Sequence, residues 1–81
     1  MTLHYAYILE CVADPTRHYT GMTDDPEARL ARHNAGAVPH TSKYAPWRYR
    51  VLVAFPTHER AAAFETYLKS HSGRAFAAKR F

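Results

Sequence analysis

From Leu3 to Val12 the chain reads LHYAYILECV, and apolar or aromatic side chains fall at both odd and even positions. In an extended segment Tyr5, Tyr7, Leu9 and Cys11 share one face and Ala6, Ile8 and Val12 the other. The aromatic and β-branched content predicts a strand. Apolar residues on both faces predict a central strand, covered on both sides. Ala13-Asp14-Pro15-Thr16 has turn chemistry. Residues 17–23, RHYTGMT, then predict a second short strand that closes a hairpin. Gly21 weakens that strand, and a glycine there often marks the close approach of another backbone or a ligand.

The pattern then changes period. Asp25 can cap free amides, Pro26 suits the first helical position, and Glu27 opposes the helix dipole. The predicted helix runs to about Ala35, with Gly36 as a left-handed stop. Residues 37–46 predict a loop. Residues 47–55, WRYRVLVAF, alternate Tyr49, Val51, Val53 and Phe55 against Arg50, Leu52 and Ala54, which predicts a third strand. Pro56 ends it, and Thr57 caps a second helix over about 58–70. Ser72-Gly73 is read as its breaker, with a short basic helix after it that packs Phe76 and Phe81 inward. The order is β-β-α-β-α with a final α. It predicts an α+β fold, a small three-stranded antiparallel sheet flanked by helices, with residues 1–81 as one domain.

Length and composition narrow the setting. An 81-residue chain of this kind buries only roughly 60% of its unfolded surface, so the core is small. With 47% hydrophobic and 22% charged residues the composition is that of a globular domain rather than a disordered chain. No long apolar run predicts a membrane span, and Met1-Thr2-Leu3-His4 does not open a secretory signal. Cys11 is the single cysteine, so no internal disulfide forms and a reducing cytoplasm fits best. The formal net charge of +4 and the pI near 9.5 favour a polyanionic partner, nucleic acid before an acidic membrane surface. Arg29, Arg32, Lys43, Arg48 and Arg50 gather in the middle of the chain; Lys69, Arg74, Lys79 and Arg80 gather at its end. Oligomeric state stays open between monomer and weak dimer.

Three sets of residues could carry chemistry. Tyr7 and Tyr19 lie on the two hairpin strands, where they can stand together on one face. A phenol pair beside a phosphate could hold or deprotonate an attacking water, given a nearby cation to offset a phenol pKa of about 10. Arg29 and His33 are four apart on one helix and share a face at the edge of its buried stripe. The guanidinium could grip a phosphate and the imidazole could orient or shuttle a proton. Glu65 lies roughly 60 to 80° around the second helix from the stripe of Ala61, Phe64 and Leu68. A lone carboxylate suits a hard cation such as Mg²⁺, which keeps several waters. Each set also has a plain structural explanation: sheet aromatics, a solvated basic helix face, and an i,i+4 pair of Glu65 with Lys69. Six histidines and one cysteine show no zinc-ligand spacing. Trp47 and Tyr44 beside Arg48 and Lys43 could stack a splayed base.

Taken jointly, order and spacing resemble a known family. Tyr5-Ala6-Tyr7, followed after eleven residues by Tyr19-Thr20-Gly21, looks like the two tripeptides that name the GIY-YIG nuclease superfamily. Asp25 to Gly36 resembles the family's helix, with its arginine at Arg29 and its histidine at His33. Ala63 to Ser70 resembles the helix that supplies the metal-binding glutamate, here Glu65. Thr41-Ser42-Lys43 with Pro46-Trp47, and the ending Lys69 to Phe76, look like the stand-alone small bacterial branch related to the nuclease domain of the excision-repair subunit UvrC. Only the final tyrosine of the first tripeptide is kept, and Thr20 replaces an isoleucine in the second. The asparagine that many members carry after the second helix is absent; Asn34 is the chain's one asparagine.

The resemblance implies a metal-dependent endonuclease acting on DNA, single-stranded or structured, in repair or recombination. Glu65 would ligate Mg²⁺, or Mn²⁺ in its place. Tyr7, helped by Tyr19 or His33, would activate water, and Arg29 would neutralise charge on the phosphorane. Gly21 would let the phosphate come close, and Arg32, Lys43, Arg48 and Lys69 would bind nucleic acid, DNA in preference to RNA. Two rivals stand beside this expectation: a binding module that has lost catalysis, and a protein-interaction domain using the aromatic segment 44–49.

Overall fold

The computed structural model describes residues 2–81. Strands β1 (His4–Cys11), β2 (His18–Thr23) and β3 (Trp47–Phe55) form one antiparallel sheet in the order β2-β1-β3. Helix α1 (Pro26–Asn34) follows the hairpin, and α2 (His58–Lys69) and α3 (His71–Arg80) follow β3. The architecture is the expected α+β one. β1 is the central strand, which is why both its faces are apolar. On one face Tyr7, Leu9, Cys11 and Trp47 form a cluster that Tyr19, Tyr49 and Leu30 of α1 close over. On the other, Ile8 and Val51 pack with Leu68 of α2 and Ala77 of α3.

One irregularity in β3 decides which face each of its residues serves. Leu9 pairs with Tyr49, but its neighbour Ile8 pairs with Val51, leaving Arg50 as an extra residue in a β-bulge. The strict alternation expected for Tyr49, Val51, Val53 and Phe55 therefore fails. Tyr49 faces α1 beside Tyr7, whereas Val51 and Val53 face α2 and α3. Period two has no means of registering a one-residue slip.

The caps follow their chemistry. The Asp25 carboxylate accepts the Ala28 amide at 3.1 Å, Pro26 opens α1, and Gly36 takes φ 76° just past its end. Thr57 accepts the Arg60 amide at 3.2 Å at the start of α2. The break between α2 and α3 is one residue, Ser70, and not Ser72-Gly73 as expected. The Ser70 hydroxyl donates to the Tyr67 carbonyl at 2.6 Å and accepts the Gly73 amide at 3.0 Å, so it ends one helix and starts the next. Gly73 lies inside α3 because a Cβ there would overlap the Tyr67 carbonyl. The inward anchor of α3 is Ala77; Phe76 and Phe81, expected in the core, are 37% and 45% exposed and pack edge-on against each other.

Candidate active site

The site is built on the α1 face of the hairpin. Tyr7 pairs with Gly21 across β1 and β2, and Tyr19 lies two residues before Gly21 on the same face. The Tyr7 ring lies across Gly21: a Cβ at that position would sit 2.6 Å from the phenol oxygen and 2.7 Å from Cζ. What presses on Gly21 is thus the phenol of Tyr7 itself. With that space open, the Tyr7 hydroxyl reaches Nε2 of His33 on α1 at 2.9 Å. The Tyr19 ring stands 5.2 Å from the His33 ring, and the Tyr49 ring meets Tyr7 edge-on at 5.4 Å.

His33 was expected at the margin of a buried stripe. It is instead fully buried, and both its ring nitrogens are used. Nδ1 is 2.8 Å from the hydroxyl of Thr41, itself fully buried, and that hydroxyl lies 3.3 Å from the Val38 carbonyl. The Val38 carbonyl can only accept, so the one Thr41 hydroxyl proton goes to it. Thr41 Oγ1 then accepts from Nδ1–H, and Nε2 is left to accept the Tyr7 proton. This proton placement is the one that satisfies all three contacts. The Thr41 carbonyl in turn accepts the Trp47 indole N–H at 2.9 Å. Asn34 grips the Trp47 backbone at both ends, accepting its amide at 2.6 Å and donating to its carbonyl at 3.1 Å. The loop that carries Thr41 is thereby fastened to α1 and β3.

Electrostatics follow from burial. His33 is held below the usual histidine range by burial and then by the cations Arg29 and Arg32, so its ring stays neutral near pH 7. Tyr7 is pushed well above the usual phenol range, chiefly by burial. The Arg29 guanidinium opposes that rise, while Tyr19, Tyr49 and the Glu65 carboxylate add to it. Tyr7 therefore holds its proton in the resting site. His33 bears on this hydroxyl through a hydrogen bond, and the charges of Arg29 and Glu65 act on it in opposite directions. Tyr7 exposes 1% of its surface and forms the floor; Tyr19 and Arg29 are half-buried above it.

Glu65 projects from α2 with 18% of its side chain exposed, and the Lys69 ammonium is seated on it at 2.6 Å. A half-buried carboxylate that already holds a cation is chemically suited to a hard divalent ion, which needs few protein ligands. No group of three or more His, Cys, Asp or Glu side chains that could cage a metal is present among the described residues. Glu65 is the carboxylate that would hold such an ion, with water completing its shell.

The remaining basic residues divide between two faces. Arg29 and Arg32 ride on α1, and Lys43 sits in the short 3₁₀ turn Ser42–Tyr44. Arg48 lies on the opposite face with Arg50; their guanidiniums bind Glu10 at 2.7 and 3.1 Å. The hydrogen bond from Arg48 holds the Glu10 carboxyl below its usual range. Trp47, considered as a base-stacking platform, is 4% exposed and serves the core instead. One face of the Tyr44 ring is covered by the Arg17 guanidinium at 4.0 Å. In the sequence Thr41 stands out only as part of Thr41-Ser42-Lys43 and was not expected in the site: the other residues of its loop are exposed or, at Val38, half-buried.

The model of the GIY-YIG catalytic domain matches residues 3–79. The chain belongs to the GIY-YIG family. By family it is an enzyme of the GIY-YIG endonuclease type. Among its relatives, the UPF0213 protein BH0048 of Halalkalibacterium halodurans is 38% identical over 72 residues, covering 88% of this chain and 74% of that protein. The structure-specific endonuclease subunit SLX1 homolog of Giardia intestinalis is 38% identical over 65 residues, 75% of this chain but 18% of that protein. This GIY-YIG chain thus spans less than a fifth of that SLX1 relative. A solution NMR structure of BH0048 aligns with a TM-score of 0.55 and 32% identity, over 95% of this chain and 83% of that one. No helix among the described residues is long and apolar enough to cross a membrane.

Proposed function

We propose that this protein is a divalent-metal-dependent endonuclease that hydrolyses phosphodiester bonds in DNA, single-stranded or structured, as a cytoplasmic enzyme of repair or recombination. The observation that carries this reading is the buried hydrogen bond of the Tyr7 hydroxyl to neutral His33, with Tyr19 packed on the His33 ring and the charges of Arg29 and Glu65 acting on the same phenol. The SLX1 relatives are named structure-specific endonuclease subunits, which supports the substrate class.

In the proposed reaction Tyr19 holds the attacking water above Tyr7. The Tyr7 oxygen takes a proton from this water as the phenol passes its own to neutral His33 Nε2. No standing phenolate is needed, so the raised Tyr7 pKa is no obstacle. The water oxygen bonds to phosphorus and the 3′ oxygen departs. Arg29 binds a non-bridging oxygen and neutralises the charge that develops on it; losing one such group commonly costs about 10²–10³ in rate. Glu65 would hold an Mg²⁺ or Mn²⁺ ion, which would supply Lewis-acid stabilisation of developing negative charge. Arg32, Lys43 and Lys69 hold flanking phosphates, Arg48 is instead held by Glu10 on the opposite face, and Gly21 keeps the Tyr7 phenol in register.

The test is a cleavage screen over single-stranded, duplex and branched DNA and RNA, with Mg²⁺ and with EDTA. Wild type is expected to cut DNA with Mg²⁺ alone. Arg29→Ala and Glu65→Ala are expected to lose at least about 10²-fold in rate with unchanged circular dichroism. Wild-type rates in both folded variants would overturn the assignment.

A further inference from the structure

A second feature adjoins the site at the sheet edge. A cleft of about 640 Å³ opens between β2 and α3. Its apolar floor includes Ile8, Leu68 and Ala77. Its rim carries Arg50, Lys69 and Arg74, with His18 and His40 at the β2 side. No aspartate or glutamate lines it. Glu10 and Glu65 partly offset Arg50 and Lys69 from outside, whereas Arg74 makes no ion pair among the described residues.

Tyr19 and Thr20 both line this cleft, although successive strand residues point to opposite faces. The cleft lies on the face covered by α2 and α3 and reaches the free edge of β2 at Tyr19, whose ring stands beside that of His33. A cationic rim suited to phosphates, with the Tyr19 ring at its edge to stack a base, shares the arrangement of single-strand binding grooves. The volume suits a nucleotide or two of single strand and is far too small to admit a duplex.

We propose that this cleft binds a single-stranded DNA extension of the substrate, threaded from the scissile phosphate past Tyr19 and around the sheet edge to Arg74. The proposal rests on the reading that the Tyr7–Tyr19 face is where the phosphodiester is cut. It adds a strand preference: the favoured substrate is a duplex with a single-stranded tail.

Binding in EDTA, followed by fluorescence anisotropy, separates the two ideas because it needs no catalysis. Wild type is expected to bind a tailed duplex about tenfold more tightly than the blunt duplex, with a salt slope steeper by about 1 for each added phosphate contact. Arg74→Ala is expected to remove about one unit of that slope on the tailed duplex alone. Ala78→Glu places a carboxylate on the exposed α3 rim of the cleft and is expected to abolish the tail preference with blunt binding unchanged. Equal affinity for tailed and blunt duplexes, or losses that fall equally on both, would overturn the cleft proposal. A wild type that binds tails but cuts nothing with Mg²⁺ would overturn the nuclease reading and leave this site standing.

Discussion

Replacing Gly21 by alanine pits two opposite effects against each other. Gly21 has no positive φ, so alanine meets no backbone strain. Restricting the unfolded chain would by itself favour alanine by about 0.4–1 kcal/mol. Against this, the new Cβ would lie 2.6 Å from the Tyr7 oxygen and 2.7 Å from Cζ. The ring cannot step aside cheaply, because Tyr7 is 1% exposed with Tyr49 and His33 against it. Overpacking of this kind costs about 1–3 kcal/mol. If the ring moves, the buried bond to His33 breaks, and an unsatisfied buried partner costs about another 1–3 kcal/mol. The clash wins, with a net loss of about 3 kcal/mol and a Tm lower by roughly 12–24 °C for a domain of this size. Thermal and urea unfolding read the stability, and cleavage rate at a temperature where the variant stays folded reads the site. In a Tyr7→Phe background the contact with oxygen is gone, so alanine should cost at least about 1 kcal/mol less. A Gly21→Ala protein as stable and active as wild type, or a double-mutant cycle additive within about 0.5 kcal/mol, would refute the packing argument.

Two further predictions concern His33. Thr41→Val keeps the shape but removes the hydroxyl that holds Nδ1–H; it should cost about 1–3 kcal/mol, read by urea unfolding, and slow cleavage, while Thr41→Ser restores most of both. Because burial and two arginines lower the His33 pKa from 6.5, the unfolded chain binds the proton more readily than the folded one. Its contribution to stability is therefore complete above about pH 6.5 and is lost as pH falls from there through the folded pKa. Cleavage should follow the same sign, rising with pH to a plateau with a midpoint below 6.5, and that limb should vanish in His33→Gln.

How much of this was legible in the sequence depends on the range of the signal. The hairpin, α1 and α2 announce themselves by local chemistry: Asp25-Pro26 and Thr57 cap, Gly36 stops, and β1 is apolar on both faces. The pairing of Tyr7 with His33 is legible only through joint spacing, since 26 residues separate them and neither is unusual alone. Thr41 was legible only as part of a resembling tripeptide and not as a site residue, because its role depends on a loop folding back beneath α1, for which Asn34 and Trp47 are the fastenings. Gly73 misled because glycine usually ends a helix; here it is small to admit a carbonyl, and Ser70 makes the turn.

The bulge at Arg50 gives β3 a different sensitivity from its neighbours. Its extra residue acts as a phase inverter, so odd positions build the wall of the site up to Tyr49 and the opposite helical layer from Val51 onward. Substituting Arg50 leaves that switch intact. Deleting Arg50 would make Tyr49 and Val51 successive residues of a regular strand, each still on its present face, and would remove the bulge. One residue can thus be lost at the bulge without turning the strand over, whereas a further single-residue insertion or deletion would exchange its two faces.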